Sequence, residues 1–359
     1  MGAGTGILAL RAPLKPLHAQ PASRAVLLSL AVAGGYITCF LGAGFLASMP
    51  LRVACAVALG LFIGLLFRIA HDAGHECHFK GRRLNRIVGW LSHLAPYHPF
   101  SLWLHFHNRR HHAFTNLRDR DYIWIPLSKA DYDALGPFGR VRERFYRTIL
   151  GVGAYYLYAI WWKKMSFPRR KDVQKMRIEY ILDSIAVLIF LGLQLAALAA
   201  GANGFKEFLL SVILAIVVPF VVFNWSIGFV SFLNHTHPEV PWFARREEWS
   251  FHAGQVNCTV HMGVPRWMVF FQTDIGLHGA HHIDPRIPIS GLNQAEPQIV
   301  AEAHEDIVLE KWTWRRHREI MKCCKLYDYD RHQWLDFDGR PTAPRIILAA
   351  RPMTPSPIA

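Results

Sequence analysis

Long uncharged apolar runs and polar stretches alternate along this chain, a pattern that predicts membrane hairpins. The apolar runs cover residues 25–49, 53–70, 184–205 and 208–234, and Arg68 is the only charged residue within them. A helix of about 20 residues rises about 30 Å and crosses the apolar core of a bilayer. Met49 to Arg52 separate the first two runs, and Lys206 and Glu207 separate the last two. Four buried helices of a soluble protein are the alternative, but such helices rarely lack charge over this length.

The polar stretch between the two hairpins is strongly basic. Residues 76–177 hold 20 Lys and Arg against 7 Asp and Glu, which is half of the basic residues of the chain. Segments rich in Lys and Arg stay on the cytoplasmic side of a membrane, so this stretch, both termini and the chain after residue 235 are predicted to be cytoplasmic. The net charge of +14 then reflects orientation and contact with anionic lipid. Nucleic-acid binding fits poorly, because membrane-type sequence interrupts the basic segment.

These patterns predict an all-α, multi-pass membrane protein with four transmembrane helices in two hairpins and a cytoplasmic helical cap. Its main domain is predicted at residues 25–340, between terminal tails at residues 1–24 and 341–359. Tyr155 to Trp162, followed by two lysines, indicate an interfacial helix at about residues 149–162, which is too short to span. The composition agrees, because 52% hydrophobic and 18% charged residues are too apolar for a disordered chain.

Twenty histidines are the second unusual feature of the sequence, and eight of them form three clusters on the predicted cytoplasmic side of the spans. The first cluster is His71–His75, the second is His107–His112 and the third is His278–His282. Residues four apart share one face of an α-helix, so His107 is expected to stack on His111, with His112 turned to the adjacent side. His235 follows the fourth span directly. The remaining histidines, among them His261 and His317, are predicted to be surface, interface or core residues.

Clustered imidazoles on one face of a membrane protein predict a metal site. One His-x-x-x-His pair would be weak evidence, but three clusters at the same depth are not a chance arrangement. Eight or nine nitrogen ligands exceed what one ion accepts, so two ions are implied, and imidazole suits Fe, Zn, Cu and Ni. A closed structural zinc site needs only four ligands. A metal transporter is the alternative, but transporters place ionisable residues inside their spans, which are almost uncharged here.

The three clusters resemble the three histidine boxes of membrane fatty acid desaturases. Their flanking residues are similar to those of the Δ12/ω-6 acyl-lipid group over about residues 60–340, whereas the boxes alone are shared with hydroxylases and carotenoid oxygenases. The similar segments are His71–Glu76, Trp103, Thr115-Asn116, Asn234–Pro238, Pro241–Phe243, Glu248-Trp249, His281-His282, Pro285–Pro288 and Cys324–Tyr329.

The resemblance implies a centre of two non-haem iron ions and no catalytic residue beyond their ligands. The second box has three residues between His107 and His111, where many members have two, so His105 stays an alternative to His107. His237 is likewise an alternative to His235. The implied ligands are His71, His75, His107, His111, His112, His235, His278, His281 and His282.

Metal-bound imidazoles usually donate their other N–H group to a carboxylate or a carbonyl group. Asp72 lies within the first box, and Asp274 precedes His278 by one helical turn. These two carboxylates are therefore the candidate partners of the ligand imidazoles. A helix cap or a solvated acid is the alternative role for each of them.

The resemblance implies an O₂-dependent desaturase that introduces a cis double bond into a fatty acyl chain, at the Δ12/ω-6 position of a monounsaturated C18 acyl lipid. Acyl-CoA and acyl carrier protein remain alternative carriers. Electrons are expected from a separate donor, a ferredoxin or a cytochrome b5-type protein. A hydroxylase or ketolase of a lipid or carotenoid on the same scaffold is the nearest alternative. A bacterial inner membrane is the expected location.

Overall fold

The computed structural model describes residues 6–347 apart from 19, 171, 174, 266, 267 and 269–272, and the side chains of residues 273 and 274 also lie outside the description. The described residues are mostly helical with a few short strands, which confirms the all-α class. The chain divides into two compact units. The first unit comprises residues 1–18, 106–152 and 229–359, and the second comprises residues 19–105 and 153–228.

The regular elements, in chain order, fall into helices and short strands. The helices are α1 (Ile7–Arg11), α2 (Ala22–Phe45), α3 (Met49–Gly74), α4 (Arg82–Leu94), α5 (Phe100–Phe106), α6 (Lys129–Asp133), α7 (Pro137–Tyr146), α8 (Gly151–Tyr155), α9 (Ile178–Gly201), α10 (Phe205–Val212), α11 (Val218–His235), α12 (His278–Ile283), α13 (Leu292–Ala303) and α14 (Trp314–Cys323). The strands are β1 (Val260–Gly263), β2 (Val308–Lys311), β3 (Leu326–Asp328) and β4 (Gln333–Leu335). Strands β1 and β2 pair in parallel, and β3 and β4 pair antiparallel.

Four helices in the described part of the chain are long and apolar enough to cross a membrane, which confirms the four predicted spans. They are α2, α3, α9 and the continuous helix Phe205–His235, in which a π-helical turn at Ile213–Val217 joins α10 to α11. The predicted interfacial helix is also helical, because α8 continues as a π-helix over Tyr156–Ser166. Its position at a membrane interface stays a prediction.

Arg52 is not the loop residue that the apolar pattern suggested. The turn between α2 and α3 falls at residues 46–48, and Arg52 lies buried within α3. Its guanidinium group donates to the carbonyl oxygens of Ala43 and Gly44 at 2.9 and 2.8 Å and to the hydroxyl oxygen of Ser211 at 2.7 Å. The last carbonyls of a helix have no partner within the helix, so Arg52 closes the end of α2 and links it to α10.

Helix α4 has an inverted distribution of apolar and polar residues. Leu84, Ile87 and Leu91 are 45, 56 and 53% exposed, whereas Asn85 and His93 are buried. A helix on the surface of a water-soluble protein has the opposite arrangement, with its apolar face inward. An outward apolar face is typical of a helix that contacts lipid.

One hydrophobic core cluster of the first unit surrounds α12, the helix that carries the third histidine box. Ala280 and Ile283 of α12 are fully buried together with Leu10 and Leu14 from the amino-terminal segment. Residues of α13 complete this cluster, namely Leu292, Ala295, Ile299 and Ala303. A helix of six residues is not stable on its own, so these contacts determine the position of α12.

Candidate metal centre

The second histidine box departs from α-helical geometry. Helix α5 runs into a π-helical turn at His107–His111, and the amide of His112 donates to the carbonyl oxygen of His107 at 2.9 Å. His107 therefore pairs with His112 across five residues, and their Nε2 atoms lie 3.1 Å apart. His107 also neighbours His111, as expected, with ring centroids 5.6 Å apart. The closer pairing with His112 was not expected, and it arises because the π turn accommodates one more residue than an α turn. The same turn explains how this box holds its additional residue.

A first group of imidazoles in the first unit joins the second and third boxes. His112 Nε2 lies 3.1 Å from His107 Nε2 and 3.1 Å from His281 Nε2. One nitrogen of each of the three rings lies within 4.8 Å of the others, and all three residues are buried.

A second group contains four imidazoles from three segments of the first unit. His278 Nε2 lies 3.1 Å from His235 Nε2 and 3.1 Å from His282 Nε2. His111 completes the group, in which one nitrogen per ring lies within 4.8 Å of the others. All four residues are buried, so the nitrogens face each other in a site with little water.

The arrangement of both groups fits metal ions. Neutral imidazole offers one lone pair for a metal and one N–H for a hydrogen bond. Burial, and then the neighbouring imidazoles, lower the pKa of His282 well below its usual range, which favours the neutral form that binds a cation. Sets of nitrogen ligands suit iron, zinc and copper, and only histidines make up these groups.

Asp121 orients the ring of His111. The Nδ1–H group of His111 donates to Asp121 Oδ1 at 2.9 Å, and the backbone amides of Asn116, Tyr122 and Ile123 donate to the same carboxylate. Because Nδ1 faces an acceptor, it carries the hydrogen and Nε2 is left for a metal. Sequence reasoning missed Asp121, which lies ten residues after His111, outside the spacing of a helical turn.

His282 has a comparable pair of polar neighbours. Its Nδ1 atom lies 3.1 Å from Gln255 Oε1 and 3.3 Å from the hydroxyl group of Thr115. The Gln255 amide group also donates to the carbonyl oxygen of His112 at 2.9 Å. Gln255 therefore links both groups, and no pattern in the sequence indicated this role.

The role predicted for the carboxylates of Asp72 and Asp274 stays a prediction. Asp72 Oδ1 lies 3.6 Å from His71 Nδ1, which is too far for a hydrogen bond. Asp274 lies in the 3₁₀ turn Thr273–Gly276, and its side chain is outside the description.

The first box lies in the second unit, at the end of α3. The rings of His71 and His75 have centroids 4.8 Å apart, in agreement with the expected pairing across one helical turn. The alternative ligands have other contacts: His105 Nε2 lies 3.2 Å from the carbonyl oxygen of Asp172, and His237 Nε2 lies 3.1 Å from Glu310 Oε2. This geometry favours His107 and His235 over His105 and His237.

Four apolar spans and two groups of buried histidines define a helical membrane protein with a multi-histidine centre of the kind that binds transition metals. The sequence profile described as "Fatty acid desaturase" matches residues 47–314. The chain therefore belongs to the fatty acid desaturase family.

Curated relatives agree with this family over most of the chain. The chain is 29% identical to the chloroplastic omega-6 fatty acid desaturase of Brassica napus, over 76% of this chain and 59% of the relative. It is 29% identical to the sn-1 oleoyl-lipid 12-desaturase of Synechocystis sp., over 73% and 72%, and 30% identical to the sn-1 acyl-lipid omega-3 desaturase (ferredoxin) of Nostoc sp., over 67% and 65%. The chain thus spans about 60% of the length of the plant relatives. The resemblance to the ω-6/Δ12 acyl-lipid group is confirmed.

Proposed function

We propose that this protein is an O₂-dependent desaturase that introduces a cis double bond at the Δ12/ω-6 position of a monounsaturated C18 acyl lipid. The observation that carries this proposal is the convergence of seven buried imidazoles in two groups within the first unit. The family membership and the names of the relatives supply the substrate class. No amino-acid side chain breaks an unactivated C–H bond, so a bound cofactor has to supply that chemistry.

The proposed cofactor is a pair of non-haem iron ions. One ion would be held by His111, His235, His278 and His282, and the other by His107, His112 and His281. The resemblance adds His71 and His75 of the first box to the proposed iron ligands. When bound, iron supplies the O₂ reduction and the hydrogen abstraction that the side chains lack.

The protein's own residues would prepare the centre for this reaction. Asp121 and Gln255 hold the Nδ1 sides of His111 and His282, so that the Nε2 atoms keep their directions. Burial of both groups limits the access of water, which would otherwise compete with the acyl chain and quench reactive species. The acyl chain is proposed to enter from the lipid bilayer.

An acidic electron carrier, a ferredoxin or a cytochrome b5-type protein, is the proposed donor. Exposed Arg120 and Arg246 stack over Phe114 and Trp249, with 5.5 and 4.7 Å between guanidinium carbon and ring centroid. The indole N–H of Trp249 donates to the carbonyl oxygen of Thr115 at 2.8 Å, directly after the second box. A positive surface next to the imidazole groups suits an acidic protein, and we define Arg120 and Arg246 as the donor face, with Phe114 and the buried Trp249 beneath them.

The proposed location is a bacterial inner membrane with both termini in the cytoplasm. The basic segment at residues 76–177 supports this orientation through the preference of Lys and Arg for the cytoplasmic side.

Expression in a host that lacks polyunsaturated lipids tests the proposed function. Lipid profiling is expected to show linoleate formed from oleate, and no linoleate in the His111→Ala variant. Conversion of stearate with oleate left untouched would contradict the proposed bond position. Accumulation of hydroxylated oleate would show a hydroxylase on the same scaffold.

A further inference from the structure

His261 contacts the backbone of the third histidine box, although its sequence context suggested an ordinary core or surface residue. It lies on β1, and its side chain is buried. Its Nδ1 atom lies 2.8 Å from both carboxylate oxygens of Glu296 on α13. A carboxylate accepts hydrogen bonds, so Nδ1 carries the hydrogen and the ring is held in one orientation.

The opposite side of this ring fills the space next to Gly279. A Cβ atom at Gly279 would lie 2.0 Å from His261 Nε2 and 2.2 Å from its Cδ2, so no other residue fits there with the ring in place. Gly279 directly follows His278 and precedes His281 by two residues. His278 belongs to the four-imidazole group and His281 to the three-imidazole group. The ring of His261 therefore touches the backbone from which both groups extend.

Both supports of His261 are themselves fixed. Strand β1 pairs with β2 in parallel, with His261 opposite Leu309. Helix α13, which carries Glu296, buries Leu292 and Ile299 in the same core as Ala280 of α12. The short helix α12 is thus held between a strand and a helix through one imidazole.

Simple space filling does not account for this residue. His261 Nε2 is buried and has no hydrogen-bond partner among the described residues, and an unpaired buried polar atom reduces stability. A phenylalanine would fill a similar space without that loss, but it has no N–H group to donate to Glu296, so Glu296 could not orient its ring.

We propose that His261 and Glu296 form a positioning pair for the third histidine box. Glu296 orients the imidazole through Nδ1–H, and the ring fixes the backbone at Gly279, so that His278 and His281 point into their separate groups. Neither residue belongs to the two groups of imidazoles. The proposal rests on the proposed function only in that the boxes bind metal, and its test needs no desaturase activity.

The test is a titration of the purified, metal-stripped full-length protein with Co²⁺, followed by visible ligand-field spectroscopy. His261→Phe and Glu296→Leu are expected to weaken Co²⁺ binding by about 10- to 100-fold, the usual effect of losing a group that supports metal ligands. The spectrum at saturating Co²⁺ is also expected to change, because the ligand directions change. Glu296→Gln keeps an oxygen that accepts the Nδ1–H bond, and it is expected to retain most of the affinity.

His317→Phe is the matched control for these variants. His317 is also buried and has a ring partner in Phe229, with centroids 5.0 Å apart, but neither of its ring nitrogens has a hydrogen-bond partner among the described residues. This variant is expected to bind Co²⁺ like the wild type.

The outcomes of the titration distinguish a failure of the positioning pair from a failure of the proposed metal centre. Equal Co²⁺ affinities and spectra for the wild type and His261→Phe would overturn the positioning pair, as would an equal loss in His261→Phe and His317→Phe. If Glu296→Gln behaved like Glu296→Leu, the orienting role of Glu296 would be wrong. A wild-type protein that binds no Co²⁺ would overturn both this proposal and the proposed metal centre.

Discussion

His18 Nε2 lies 2.6 Å from Asp284 Oδ2, so a hydrogen bond joins the segment before the first span to the residue that follows α12. Arg11 adds a second bond, from its Nε atom to the carbonyl oxygen of Ile283 at 2.5 Å. Leu10 and Leu14 are buried in the same core as Ile283. The amino-terminal segment of this protein is therefore a structural part of the unit that carries the third box.

Replacing His18 by leucine is expected to destabilise the first unit. The carboxylate of Asp284 is 1% exposed, and a hydrogen bond to a charged group contributes about 1.5–3 kcal/mol. We expect a loss of about 2 kcal/mol in the free energy of unfolding, measured by chemical denaturation in detergent. Lys15→Ala is the control, because Lys15 is exposed on the same segment. Equal stability of the two variants would show that the contact with Asp284 contributes nothing.

Asp121→Ala is expected to weaken metal binding through the ring of His111. Loss of the acceptor at 2.9 Å frees the ring to change its hydrogen position, and losses of this kind cost about 10- to 100-fold in metal affinity. Competition with a chelator, followed by iron determination, measures the effect. Asp119→Ala is the control, because Asp119 is exposed on the same loop. Unchanged iron retention in Asp121→Ala would contradict the role assigned to the carboxylate.

Reversing the charge of the donor face is expected to affect electron delivery alone. The double variant Arg120→Glu and Arg246→Glu should raise the KM for a reduced ferredoxin at low salt by about tenfold or more, because like charges now oppose the acidic carrier. The activity with a small chemical reductant should not change. Arg331→Glu, at an exposed site on the segment between β3 and β4, serves as the control. An equal KM for both variants would place the donor elsewhere.

Cys323 is expected to react with iodoacetamide near neutral pH. A hydrogen bond with Cys324 lowers the pKa of the Cys323 thiol to about 7, opposed by burial and assisted by Thr342. The reactive thiolate fraction rises with pH and passes one half near pH 7, so the alkylation rate should rise through this value and level off above it. Burial raises the pKa of Cys324 well above its usual range, so Cys324 should stay unmodified. Mass spectrometry of the labelled protein measures both sites. An alkylation midpoint above pH 8 would contradict this environment.

Reporter fusions test the proposed orientation. Fusions after residues 120 and 340 are expected to report cytoplasm, and a fusion at residue 204, between the third and fourth spans, should report the opposite side. The physical reason is the basic character of residues 76–177. A reporter at residue 120 found outside the cytoplasm would overturn the orientation.

The parts of this protein that the sequence predicts are those with a local signal. The four spans follow from consecutive apolar residues, and the His71–His75 pair follows from helical periodicity. Arg52 was misplaced because its partners Ala43 and Ser211 come from two other helices that only the folded chain brings together. The sequence does not indicate whether a charged residue next to an apolar run caps a neighbouring helix or faces water.

The second and third boxes show a different limit of sequence reasoning. The π turn at His107–His111 decides which imidazoles pair. Because His111 and His112 are adjacent, the sequence alone does not show whether His107 pairs with the histidine four residues later or with the one five residues later. The residues that orient the imidazole rings are distant from them in the sequence, since Gln255 contacts His282 and Glu296 contacts His261. Tertiary packing, which no local pattern encodes, selects these partners.

Leu84, Ile87 and Leu91 on the outward face of α4 have a practical consequence for handling the protein. This helix begins seven residues after the first histidine box ends at His75, and its apolar face needs acyl chains around it as the spans do. A micelle that coats only the spans would leave this face in water and favour a rearrangement of α4 beside the box. Inactivation during detergent extraction would then begin in the polypeptide that follows His75, and a lipid nanodisc would prevent it.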